Sequence, residues 1–187
     1  MTQPLHPAVE WVLDRLGPVV DDVATNYDHR NGGNCILKRV DRDNSAVYDG
    51  GEPVDMTQPM RKRSDKLTSG NYVGAAFVDR AGEPVGPGYD LDVDVVVGVL
   101  VEGMHTSEYG HVDPTGQQGI PFRNGEDGLV DRVQSAIYAG REYPDAAGSN
   151  ASFTHLTITN EDLQSANWAD FYRYSFDVGF NGFETLS

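Results

Sequence analysis

The sequence predicts an α+β domain: a mainly antiparallel or mixed sheet, with an N-terminal helix and one central helix packed on one face and long polar loops between. Three observations carry this. A helical apolar stripe opens the chain. The strongest strand pattern, Tyr89–Gly103, alternates and then turns wholly apolar. A second helical stripe, 126–141, precedes two further alternating segments, the last of them aromatic. With 187 residues, the chain is expected to be a single domain over 1–187.

Taken in order, Leu5–Leu16 places Val9, Val12, Leu13 and Leu16 on one stripe with Trp11 at its edge, and Glu10, Asp14 and Arg15 opposite. Gly17–Pro18 is expected to stop this helix. The stretch Val19–Asn34 has no clear period until the turn Asn31–Gly32–Gly33–Asn34. Cys35–Val40 reads as a short strand, and 41–70 as a long polar excursion with little regular structure. Asn71–Asp79 reads as a strand, and Ala81–Gly88 as turn chemistry. In the next strand Asp90, Asp92 and Asp94 share a face opposite Leu91, Val93 and Val95. The apolar run up to Val101 then implies burial on both faces. A second polar loop covers 104–125. In Glu126–Arg141, Leu129, Val133, Ala136 and Ile137 form the buried stripe. Phe153–Thr159 is a strand of β-branched residues, and Phe171–Phe183 a long strand with Tyr172, Tyr174, Phe176, Val178 and Phe180 on one side.

Composition bears on setting. There are 29 acidic residues against 14 basic ones, a net charge of −15; twenty of the acids are Asp and three of the bases are Lys (Lys38, Lys62, Lys66). Short hydrated carboxylates keep a protein soluble where salt screens repulsion to about 3 Å. The expected source is an extreme halophile or a virus that infects one. Such a surface disfavours general nucleic-acid binding. A single cysteine, Cys35, excludes an intrachain disulfide and reads as a buried thiol. Met1–Pro7 lacks the pattern of a secretory leader. The longest apolar run, Val95–Val101, is far shorter than the ~20 residues of a membrane span. A soluble protein working inside a cell, or in a particle assembled there, is expected.

No catalytic constellation stands out. His105, Glu108, His111 and Asp113 offer metal-ligand chemistry, but the histidines are not spaced to share a helix face, and Gly110 and Pro114 break the segment. A metal-dependent hydrolase is the enzymatic alternative built on them. Asp90, Asp92 and Asp94 could hold magnesium in a nuclease, yet aspartate on a solvent-facing strand is the default in so acidic a chain. There is no nucleophile elbow and no phosphate-binding loop. Asn150–Ala151–Ser152 matches a glycosylation sequon by chance. A small ligand-binding module is a third class. No catalytic residue, metal or cofactor is expected. One basic island, Arg61, Lys62, Arg63 and Lys66, reads either as a solvated loop or as a docking patch for an acidic neighbour.

The element order resembles the tail terminator (tail completion) proteins of long-tailed viruses: an amphipathic helix (Leu5–Leu16), loop-interrupted strands, a long apolar strand (Asp92–Met104), one strong helix (Asp127–Arg141) and the closing strand Tyr172-Arg173-Tyr174-Ser175-Phe176-Asp177-Val178-Gly179-Phe180. The chain is longer than typical members, with 41–70 and 104–125 as insertions, so the adaptor and stopper proteins of the neck are alternatives. The resemblance implies a homo-hexameric ring in the virion, assembled in the host cytoplasm at high salt. It would cap the tail tube and meet the tail tube protein and the head-side connector. DNA would pass through the lumen without specific binding, and no membrane is involved. Arg61, Lys62, Arg63 and Lys66 are the expected interaction residues, for the next subunit or a neck partner.

Overall fold

A computed structural model describes residues 5–26, 37–43, 46–47, 71–85, 90–104, 128–139, 151–163 and 171–185. The chain is α+β. Among the described residues the helices are α1 (Pro7–Arg15), α2 (Gly17–Asn26) and α3 (Leu129–Tyr138). The strands are β1 (Leu37–Asp41), β2 (Ala46–Val47), β3 (Asn71–Val85), β4 (Asp90–Met104), β5 (Ala151–Leu163) and β6 (Phe171–Thr185). They form one mixed sheet in the order β2-β1-β3-β4-β6-β5: five strands of five residues or more, with the two-residue β2 at one margin. Among the described strands only the β1–β3 pairing is parallel.

Alternate residues of β4 and β6 build the core. Val93, Val95, Val97, Val99 and Val101 stand beside Phe180, Val178, Phe176 and Tyr174 on one sheet face, together with Val73 and Ala75 of β3. The apolar stripes of the described helices close over that face: Val9, Val12 and Leu13 of α1, Val19 and Val23 of α2, and Leu129, Val133 and Ile137 of α3. Trp11 meets Phe180 edge-on at 5.4 Å. The expectation of helices on one face therefore holds. β4 is also buried on both faces from Val97 to Glu102, while Asp94 is exposed.

Two expectations are corrected. Gly17–Pro18 does not end the helical region; it bends it. Leu16 closes α1, its N–H shared between the carbonyls of Val12 and Leu13, and α2 starts at once. Proline in a first turn sacrifices no helical hydrogen bond. The break leaves carbonyls to satisfy, and the Arg39 guanidinium on β1 donates to the Leu13 oxygen at 3.1 Å.

Ala81–Gly88 is not all turn. β3 runs through Pro84 to Val85, in register with Leu91 and Asp90 of β4. β1 covers β3 only as far as Ala75, so beyond it β3 is an edge strand, where proline is tolerated. A bulge between Phe77 and Asp79 marks the passage from covered to free edge. There Asp43 accepts from the Phe77 amide at 3.3 Å. The third helix is shorter at its described ends than the 126–141 stripe suggests. The turn at 31–34 and Cys35 lie outside the described residues, as do most of the expected loops at 41–70 and 104–125.

Candidate interaction surface

The face of the sheet turned away from the helices divides in two. Near one end Val40, Tyr72, Leu100 and Glu102 are all buried. Burial pushes the Tyr72 phenol above its ordinary pKa of 10.0. Toward the other end the same face is open: Asp79, Ala81, Glu83 and Val85 of β3, Asp94 of β4, Phe183 of β6, and His155, Thr157 and Thr159 of β5 are exposed.

The open half carries carboxylates oriented by neutral amides. The Asn181 side chain on β6 donates to Asp92 at 3.0 Å and to Asp94 at 2.8 Å. The Asn160 side chain donates to Asp177 at 2.7 Å; its backbone has φ 53°, the left-handed conformation that asparagine tolerates better than most residues. An amide fixes a carboxylate's direction and leaves its charge intact. Arg80 does not balance these groups, because it pairs with Glu184, a β6 residue of the helix-side set. Among the carboxylates lie exposed apolar side chains: Phe183 is 50% exposed and Val78 55%. Val78 lies over Gly98, where an added Cβ would stand 3.0 Å from its Cγ2.

The β5 edge and the stretch of β3 beyond Ala75 resist strand addition. β5 is bulged between Phe153 and His155 and again between Thr159 and Asp162. Its Ile158 amide is taken by the Tyr138 hydroxyl at 3.2 Å. Beyond Ala75, β3 presents Pro84 and its own bulge.

Compared with known proteins, the chain matches no family model and no curated protein.

The expected Asp92 and Asp94 do share a face, with Asn181 between them; Asp90 continues the β4 register. Among the described residues no group of three or more His, Cys, Asp or Glu could hold a metal. His105, Glu108, His111 and Asp113 lie outside the described residues, and so do Arg61, Lys62, Arg63 and Lys66. Asn181 and Asn160 were not singled out in the sequence. The available signal was an amide at a solvent-side position of an aromatic strand, opposite an Asp-x-Asp.

A second polar cluster ties the layers together. The buried Tyr174 hydroxyl donates to Glu161 of β5, and Gln134 of α3 donates to both Glu161 and Tyr174, the latter at 2.6 Å. Arg132 of α3 pairs with Asp22 of α2. At the N-terminal end His6 caps α1, its Nδ1 accepting from the Ala8 amide at 3.2 Å, with its ring 4.6 Å from Phe77. Burial and then Arg80 hold the His6 pKa below its ordinary 6.5, with Asp43 acting weakly the other way.

Proposed function

We propose that this chain is a structural protein of a virion, a tail-terminator subunit forming a ring that caps the tail tube and joins it to the head connector. One observation supports this most: the domain is one-sided. The described helices lie on one sheet face, half of the other face is open, and both the β5 edge and the free stretch of β3 are broken by bulges. At those two edges association through the open face is favoured over extension of the sheet. The terminator resemblance rests on the element order of the sequence, and the closing strand β6 sits inside the sheet between β4 and β5. The net charge of −15 suits a lumen through which a polyanion slides without sticking.

The test is the mass of the purified protein in about 2 M salt, where charge repulsion is screened to a few ångströms, followed by imaging. Closed rings, above all hexamers, are expected. A monomer at every salt concentration overturns the reading.

A further inference from the structure

We propose that the open half of the sheet's second face is the subunit contact, and that it takes the 60–67 segment of a second copy of this chain. The inference rests on the ring reading and names the surfaces that meet. The face offers Asp79, Glu83, Asp92, Asp94 and Asp177 around the exposed Phe183 and Val78. A matching occupant is cationic with apolar side chains among the charges. The chain contains one such segment: Met60-Arg61-Lys62-Arg63-Ser64-Asp65-Lys66-Leu67 holds four of the 14 basic residues, including two of the three lysines.

Two features suit this face to a cationic partner. Asp92, Asp94 and Asp177 are aimed by Asn181 and Asn160, which neutralise nothing. A protein partner then gains charge-assisted hydrogen bonds to carboxylates already fixed in direction. Phe183 and Val78 supply apolar area that survives high salt, whereas ion pairs act there only at contact distance. Adhesion thus comes from the apolar side chains, and choice of partner from the charges. A contact of one patch with a different patch on the next copy is heterologous, the kind that generates rings.

A charge-swap mixing experiment tests this with the full chain. Variant one reverses the face by Asp92→Arg and Asp94→Arg. Variant two reverses the segment by Arg61→Glu, Lys62→Glu and Arg63→Glu. Each alone should lose the oligomer, with association at least ~10-fold weaker. An equimolar mixture should restore it, because every face then meets a segment of opposite charge on an alternating neighbour. Rescue by mixing cannot arise if the segment docks on its own chain. If the face variant fails to fold, Asp92→Asn with Asp94→Asn replaces it, and association should still weaken several-fold. Oligomers formed unchanged by both reversed variants overturn the contact and leave the ring reading standing. Loss in both without rescue assigns the face to another partner and overturns the inference. A monomeric wild type overturns the inference and the ring reading together.

Discussion

Gly182 has less room than any other glycine described. Opposite the first bulge of β5, an added Cβ would stand 2.0 Å from the Ser152 carbonyl oxygen and 2.5 Å from the Phe153 Cα. Both obstacles are backbone, so no rotamer relieves them. Gly182→Ala should cost about 3 kcal/mol in denaturant unfolding, at the upper end of overpacking effects. Gly98→Ala crowds the tip of exposed Val78, with Asp177 and the Ala76 carbonyl at ordinary contact distance, and should cost less than about 1 kcal/mol. His6 predicts a pH dependence of known sign. Its folded pKa lies below the unfolded 6.5, so as pH falls through that value the unfolded chain takes up protons that the folded one refuses. Stability is complete above about 6.5 and declines as pH drops through the folded pKa, where the α1 cap is lost. His6→Asn keeps a capping oxygen and removes the titration. Thermal melts between about pH 7 and pH 5 should lose the part of their slope due to this histidine, although carboxylates contribute a slope of their own.

Between elements, the hydroxyl of Tyr174 is the joint of β6, β5 and α3. Tyr174→Phe keeps the ring in its buried place and removes the joint, for an expected loss of about 1–2 kcal/mol in chemical denaturation. Most elements were legible in the sequence because their signals are local. Periodicity located α1, α3, β4 and β6, and the alternation of Tyr174, Phe176, Val178 and Phe180 identified the buried face of β6. The misreadings came where a neighbour decides. Gly17–Pro18 bends the helical region instead of ending it, with Arg39, 26 residues from Leu13, donating to the open Leu13 carbonyl. Ala81–Val85 is strand because β4 pairs with it and β1 does not, and no window around Pro84 contains that information.

For the protein as a unit, the charge of −15 repels itself at low ionic strength. The melting temperature should therefore rise as chloride increases from about 0.1 M to 2 M, with most of the gain complete once the screening length drops below roughly 3–5 Å. A flat response would remove the basis for the high-salt setting. The candidate surface was half legible. The Asp-x-Asp alternation was visible, but its pairing with Asn181 joins positions 89 and 87 residues apart and could be seen only in the fold. The distinction between the open and buried halves of that face also depends on packing, since Leu100 and Asp94 sit on the same side of one strand.

The β4–β6 pairing has a consequence for synthesis. Fifteen consecutive residue pairs join Asp90–Met104 to Phe171–Thr185, and the core rows of both strands are the most apolar surfaces described. On a ribosome adding roughly 5–20 residues per second, the valine row of β4 waits about 4–16 s for its partner strand. During that time the nascent chain offers an unsatisfied apolar strand flanked by aspartates. Charge at Asp90, Asp92 and Asp94 then serves a purpose before folding, as a gatekeeper against premature strand-to-strand association. Aspartates on the solvent side of this strand would thus protect its synthesis.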